Sequence, residues 1–159
     1  TTLACAPPHS AALWPAGATD YAFETIATVY LQFGRQPKMP FPLTNLLGTL
    51  GQWVVDRGNG LLACVLSGHG DWENLDDDAL AMALESELAM PEKASWRKVI
   101  REKRATFSAH PDLPRPDCRT ANSRLFLAGD HTWADYPATL EGAVRSGRRA
   151  AQLALTLDC

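Results

Sequence analysis

The sequence lacks the features that mark several large classes of protein. Its 159 residues carry a formal net charge of −3, so there is no basic excess of the kind that binds nucleic-acid phosphates. No apolar run approaches the roughly 20 residues that cross a bilayer, and no basic segment followed by an apolar one opens the chain as in a secretory signal. These absences argue against nucleic-acid partners and membrane spans, and they lead us to expect a cytoplasmic location.

Paired cysteines are also absent. Cys5, Cys64, Cys118 and Cys159 are scattered, and no two of them form a CxxC pair. This spacing indicates neither a zinc site nor a disulfide scaffold, so we expect four isolated thiols and no metal centre.

The beginning of the chain has no initiator methionine. It opens with TTLACAPPHSAALW, in which a short apolar strand at residues 3–5 runs into Pro7 and Pro8 without any preceding element. We therefore expect this chain to be a piece of a longer polypeptide.

The middle of the chain predicts an antiparallel sheet with one helix. IATVYLQF at residues 26–33 is rich in β-branched and aromatic residues, which predicts a strand. The turn at residues 57–60, which contains Gly-Asn-Gly, joins two further strands as in a tight hairpin. Behind Asp76 the apolar residues repeat with helical spacing, and this helix should end before Pro91. We interpret residues 96–109 as a strand whose basic side chains face solvent.

The last segment, RLFLAGDHTWADYPATLEGAVRSGRRAAQLAL, predicts a buried strand, a loop and a helix. The strand covers residues 125–128. The helix should pack through an apolar face formed by Leu140, Ala143, Val144, Gly147, Ala151 and Ala154. Strand, loop and amphipathic helix in this order form half of an α/β layer.

The chemistry of this segment indicates a cradle for a ligand. A helix start exposes unpaired N–H groups, and small residues such as Ala138 and Gly142 would let a flat ring approach it. Gly129 would let a ligand lie close to the backbone, and Asp130 can accept hydrogen bonds from hydroxyl groups. The pattern suits a polyol joined to a planar heterocycle, but alone it leaves the ligand open.

The same segment carries a family resemblance. LFLAGDHTWADYPATLEGAVRSGRRAA resembles the C-terminal flavin motif of the FAD-dependent amine oxidase and phytoene desaturase superfamily, and it is most similar to the squalene-associated desaturase branch, the hydroxysqualene dehydroxylases. LACAPPHSAAL, TVYLQF, GQWVVDRG and REKRATFSAHP resemble segments of that branch in the same order. The resemblance therefore covers nearly the whole chain.

The resemblance implies a set of cofactor-binding residues. They are Gly129, Asp130, Pro137, Ala138, Thr139, Leu140 and Gly142. The first two match positions that meet the ribityl and pyrophosphate part of FAD, and the others surround the helix start that faces the pyrimidine edge of the flavin. The flavin carries the redox chemistry in such enzymes, so no catalytic acid or base is assigned.

One expected motif is missing. The GxGxxG dinucleotide fingerprint occurs nowhere in the sequence. The adenine half of the cofactor site should then lie in a missing N-terminal FAD-binding half, and this chain should hold FAD weakly or not at all.

The resemblance implies an α+β fold. We expect an antiparallel or mixed substrate-domain sheet with helices, plus the closing strand and helix of a Rossmann-like FAD-binding domain. Residues 1–12 would end an FAD-domain segment, 13–118 would form part of the substrate-binding domain, and 119–159 would form the C-terminal FAD-binding strand, loop and helix. Five residues would suit an apolar substrate channel, although core packing is the commoner role for each: Phe41, Leu43, Leu46, Leu47 and Trp53.

The implied activity is flavin hydride transfer to or from an apolar isoprenoid, by resemblance the reductive removal of a hydroxyl group to give squalene. Such a lipid-soluble substrate would add a peripheral membrane contact. A carotenoid or phytoene desaturase or a flavin amine oxidase is the alternative within the superfamily. Two alternatives lie outside the superfamily. One is a non-catalytic interaction domain, and the other is a metal-dependent hydrolase, which would use His69, Asp71, Asp130, His131 and Asp135.

Overall fold

A computed structural model describes the backbone of residues 2–4 and the whole of residues 21–156. The described residues form, in chain order, β1 Thr2–Ala4, β2 Phe23–Gln32, β3 Leu43–Asn45, β4 Trp53–Asp56, β5 Leu61–Ser67, α1 Asp77–Leu88, β6 Trp96–Phe107, β7 Leu125–Leu127 and α2 Leu140–Leu155. Two compact units result: unit 2 is Phe23–Thr106, and unit 1 comprises the described residues on both sides of it. These units do not reveal what each part binds, so the domain boundaries at residues 12 and 118 stay a prediction.

Unit 2 is built on a five-stranded sheet in the order β3-β4-β5-β2-β6. β3 with β4, β4 with β5, and β2 with β5 pair in antiparallel register. The turn between β4 and β5 holds Gly58, Asn59 and Gly60, all with positive φ, as a tight hairpin requires. The predicted antiparallel sheet is confirmed, whereas the short β3 strand was not foreseen.

One face of this sheet, which we call the inner face, packs against α1. Alternate residues of β2, Ala27, Val29 and Leu31, are fully buried there, because successive side chains of a strand point to opposite faces. They form one core cluster with Leu80 and Leu84 of α1.

Helix α1 begins and ends where the sequence indicated. The Asp76 side chain caps it by accepting a hydrogen bond from the Ala79 amide at 2.7 Å. The helix ends at Ala89, which has a left-handed conformation, two residues before Pro91.

The strand predicted at residues 96–109 is confirmed as β6. Its basic side chains, however, do not all face solvent. Arg97 donates to Glu85, and Arg101 donates to Asp77, both on α1. The Arg101 guanidinium also lies 5.7 Å from the ring centre of the buried Trp72. Because the Arg97 and Arg101 side chains point inward with Val99, they join the edge of the sheet to α1.

Unit 1 contains a two-stranded parallel sheet of β1 and β7, with Thr2 opposite Leu125. Helix α2 packs beside it through Gly142, Ser146 and Ala150, which are buried. The predicted apolar face was wrong for Leu140 and Val144, which are 88% and 59% exposed, whereas Ala154 packs against the core of this unit as predicted. The buried side of the helix therefore carries small residues.

Two thiols are buried. Burial, helped by the charge of Glu87, raises the pKa of Cys64 to about 12, and burial also raises the pKa of Cys118. Both are free thiols, whereas Cys5 and Cys159 lie outside the described residues. No helix in the described part of the chain is both long and apolar enough to cross a membrane.

Replacing Gly60 by alanine should destabilise unit 2 far more than replacing Gly58. Both glycines have positive φ, but a Cβ on Gly60 would lie 2.4 Å from the Phe33 carbonyl oxygen, while a Cβ on Gly58 would meet nothing within 4 Å. Gly58→Ala should cost about 1–2 kcal/mol, and Gly60→Ala about 1–3 kcal/mol more, because of the clash. Urea unfolding midpoints measure the difference, and equal midpoints would contradict it.

The contribution of Glu85 to stability should depend on pH. Although burial opposes ionisation, hydrogen bonds from the Ala94 amide and Arg97 lower the pKa of Glu85. Its stabilisation is therefore complete above the ordinary glutamate range near pH ~4.3, and it is lost as the pH falls through the lowered pKa of the folded state. Glu85→Gln should cost about 1–3 kcal/mol at neutral pH, and little at the most acidic pH that still permits folding.

The matched control is Asp77→Asn, which removes an exposed carboxylate that joins the same two elements through Arg101. Exposed pairs contribute little, so its stability should stay near wild type at every pH. An Asp77→Asn variant as unstable as Glu85→Gln would refute the assignment.

Candidate functional site

The Gly-Asp sequence forms a tight turn directly after β7. Asp130–Thr132 make a short 3₁₀ turn that starts at Gly129. A Cβ on Gly129 would lie 2.3 Å from Cε1 of His131, whose ring is almost fully buried. Glycine is required here because the His131 ring packs against its Cα. The sequence suggested another role for Gly129, which is to let a ligand lie close to the backbone.

A pair of buried hydroxyl groups fastens helix α2 to this turn. Ser146 Oγ accepts a hydrogen bond from the Gly129 amide at 3.0 Å, and Thr132 Oγ1 donates to the Gly129 carbonyl at 2.9 Å. The two hydroxyls are also hydrogen-bonded to each other. Sequence reasoning missed Ser146; its position four residues after Gly142, on the same side of the helix, was the available signal.

Asp130 presents an ionised carboxylate at the surface of the turn. Its side chain is 32% exposed, and Oδ1 accepts a hydrogen bond from the His131 amide at 2.9 Å. The side chain of His131, chiefly, and then its amide lower the pKa of Asp130 against the opposing effect of partial burial. No described residue donates to the second oxygen, Oδ2, so this atom is available to a ligand.

The start of helix α2 lies beside Asp130. Thr139 caps the helix by accepting from the Gly142 amide at 3.1 Å, and a Cβ on Gly142 would lie 3.8 Å from the Asp130 Cα. The Leu140 and Glu141 amides have no hydrogen-bond partner among the described residues. They therefore leave the positive end of the helix dipole uncompensated by the chain itself.

The structure thus brings most of the predicted cofactor-binding residues together. Gly129 and Asp130 lie against the first turn of α2, which contains Leu140 and Gly142, with Thr139 at its cap. Pro137 and Ala138 lie in the preceding loop. On the exposed side of the same helix, Glu141 and Arg145 form an ion pair, with 2.6 Å between Oε1 and Nε.

Metal-ligand geometry is not found. Among residues 21–156, no three His, Cys, Asp or Glu side chains are placed to hold one metal ion. His69 is an exposed loop residue between Glu24 and Glu73, as expected for a hydrogen-bonded surface histidine. The metal-dependent hydrolase alternative therefore has no support in the described part of the chain.

The outer face of the five-stranded sheet, opposite α1, carries exposed apolar side chains. Alternation along the strands places Leu43, Trp53, Trp96 and Ile100 on it, and these side chains are between 42% and 55% exposed. Phe41 and Leu47, in the loops beside β3, are exposed as well. Leu46, in contrast, is partly buried and packs against the core, and the expectation of a substrate channel stays a prediction.

Known proteins with similar sequences include two hydroxysqualene dehydroxylases. That of Rhodopseudomonas palustris is 34% identical over 163 residues, and that of Sinorhizobium fredii is 32% identical over 160 residues. These alignments cover 96% and 97% of this chain but only 38% of each relative. A probable zeta-carotene desaturase from Synechococcus elongatus is 38% identical over 63 residues, or 38% of this chain and 13% of that protein.

The family comparison covers nearly the whole chain. Residues 3–155 match the family described as flavin containing amine oxidoreductase. The match spans the outer-face strands of unit 2 as well as the Gly-Asp turn and α2 of unit 1. The chain belongs to the flavin containing amine oxidoreductase family.

Proposed function

We propose that this chain is the C-terminal part of an FAD-dependent oxidoreductase that acts on an apolar isoprenoid of the squalene type. The chain spans 38% of the length of the two dehydroxylases, so the activity is that of the full-length protein. The missing N-terminal half would supply the GxGxxG strand and the adenine site. The chain by itself should hold FAD weakly or not at all.

The residues around the Gly-Asp turn fit the flavin half of FAD. Ribityl hydroxyls are donors, and Asp130 Oδ2 is an acceptor without a partner among the described residues. The pyrimidine edge of the flavin carries acceptor oxygens, and the free amides of Leu140 and Glu141 are donors. Gly129 and Asp130 would therefore meet the ribityl and pyrophosphate groups, while residues 137–140 and Gly142 would surround the ring edge.

The bound flavin would supply hydride transfer, and the chain would supply binding and electrostatics. The start of α2 carries a partial positive charge, which stabilises negative charge nearby. At the ring edge it would favour the reduced form of the cofactor. No described side chain is assigned as an acid or base.

The observation that carries the substrate class is the apolar outer face of the sheet. Large uncovered apolar surfaces mark binding sites, and an isoprenoid chain offers only apolar surface for recognition. We propose that Leu43, Trp53, Trp96 and Ile100 contact that chain. In the reaction, a hydride from reduced flavin would replace the substrate hydroxyl, which would leave with a proton as water while the flavin is oxidised.

A carotene desaturase is the second candidate, because zeta-carotene desaturases also match this chain and the same apolar face would suit a carotene. The electron flow would then be reversed, with hydride passing from substrate to oxidised flavin. Hydroxysqualene that reoxidises chemically reduced enzyme under anaerobic conditions would support the first candidate. A carotene that bleaches the oxidised enzyme would support the second. The cytoplasmic location and the peripheral membrane contact remain predictions.

The full-length protein, purified without added cofactor, should show flavin absorption bands that bleach on dithionite reduction. Acid extraction should release FAD, identified by its chromatographic retention. A protein that stays colourless after incubation with FAD would refute the proposal, and release of FMN would refute the cofactor assignment.

Asp130→Ala in the full-length protein should weaken FAD binding by about tenfold, because hydrogen bonds to a charged acceptor contribute about 1.5–3 kcal/mol. The fold should be retained. Equilibrium titration with FAD measures the dissociation constant, and Asp135→Ala, which removes an exposed carboxylate of the following loop, is the control. Equal FAD affinity in wild type and Asp130→Ala would remove Asp130 from the site.

Trp53→Ala should raise the KM for hydroxysqualene by about three- to tenfold without changing the flavin content, because it removes part of the apolar contact surface. Met82→Ala is the control, since Met82 is 59% exposed on α1, on the opposite side of the sheet. If both variants kept the wild-type KM, the outer face would not be the substrate surface.

A further inference from the structure

Arg115, which the sequence analysis did not single out, clamps the Gly-Asp turn from the side of its carbonyl groups. Its Nη1 atom donates to the Asp130 carbonyl at 3.2 Å and to the Trp133 carbonyl at 3.0 Å. The Asp130 carbonyl also accepts from the Trp133 amide at 3.3 Å. One guanidinium thus bridges both ends of the turn.

The guanidinium is itself held in place. Its carbon Cζ lies 4.4 Å from the ring centre of Phe107, which gives a cation–π contact that also fixes the plane of the group. The Phe107 ring lies 5.3 Å from the ring of the buried Tyr21, and the Tyr21 hydroxyl donates to the Pro114 carbonyl at 2.9 Å. Prolines on both sides of Arg115 restrict its backbone further.

The turn is therefore held from two sides, and only the Asp130 carboxylate is left to project from it. From α2, Ser146 binds the Gly129 amide, and within the turn Thr132 binds the Gly129 carbonyl, while Arg115 binds the carbonyls that follow. With its backbone fixed at both ends, Asp130 has little freedom to turn its carboxylate away.

We propose that Arg115 is the positioning residue of this site: by bridging the Asp130 and Trp133 carbonyls, it holds the Asp130 carboxylate in the orientation that binds the ribityl part of the flavin cofactor. The inference rests on the proposed function. It explains why arginine stands here, because lysine offers no planar group to lie over the Phe107 ring and fix the direction of the donor.

A double-mutant cycle on FAD affinity in the full-length protein tests the proposal. Arg115→Ala should raise the FAD dissociation constant by about tenfold, as Asp130→Ala does. The double variant should be no weaker than Asp130→Ala alone, because Arg115 acts through Asp130. Effects that multiply would show an independent, merely structural role and would overturn the proposal.

Arg149→Ala is the matched control. Arg149 lines the same cavity of about 200 Å³ as Arg115, but its guanidinium pairs with Asp117 and not with the turn. This variant loses the same charge and should keep wild-type FAD affinity. A loss equal to that of Arg115→Ala would mean that FAD affinity depends on the positive charge of this region and not on the hydrogen bonds from Arg115 to the turn. This result too would overturn the proposal.

Arg115→Lys covers the case in which Arg115→Ala does not fold. It keeps the charge but loses the planar contact with Phe107 that fixes the direction of the bridging nitrogen, so its FAD affinity should lie between wild type and Asp130→Ala; wild-type affinity would overturn the proposal. The two hypotheses fail differently. If Asp130→Ala weakens FAD binding and the Arg115 variants do not, only the inference fails, whereas an unaffected Asp130→Ala removes the proposed cofactor site itself.

Discussion

The hydrogen bonds between Ser146, Thr132 and Gly129 are the interaction on which the candidate site depends. Buried polar groups must be paired, and here each hydroxyl is paired with the backbone of one residue and with the other hydroxyl. The arrangement places the start of α2 beside Asp130 without a large side chain between them. A carboxylate and a set of free amides therefore lie side by side, although they belong to elements separated by a loop.

Unit 2 is asymmetric in a way that bears on function. Its sheet buries the inner face under α1, with an apolar core and two arginine–carboxylate contacts at the edge. Its outer face carries tryptophan and aliphatic side chains with no described element over them. Alternation also places polar side chains such as Lys98 and Glu102 on that side, where they face water, and the exposed tryptophans among them offer apolar surface for binding.

The sequence predicted what depends on local pattern. The β2 strand, the Gly-Asn-Gly hairpin and α1 with its Asp76 cap were confirmed, because alternation, positive-φ residues and capping are local signals. The orientation of α2 was predicted wrongly, since hydrophobicity pointed to Leu140 and Val144, while close packing selected Gly142, Ser146 and Ala150. Arg115 and Ser146 could not be found from the sequence, because their partners are fixed only by the tertiary fold. The ligand role of the seven predicted cofactor residues stays a prediction, although the structure brings most of them together.

Unit 1 is formed by two segments of the chain, one before and one after unit 2 in the sequence. This order has a consequence for synthesis on the ribosome. The partner of β1 is β7, so the first strand must wait until almost the whole chain has emerged before it can pair. Unit 2 is a continuous run of the chain and can form earlier, which shortens the effective loop that β1 and β7 must close. Within this stretch, cotranslational folding should therefore begin in unit 2, and chains that stall before β7 would leave β1 without this partner.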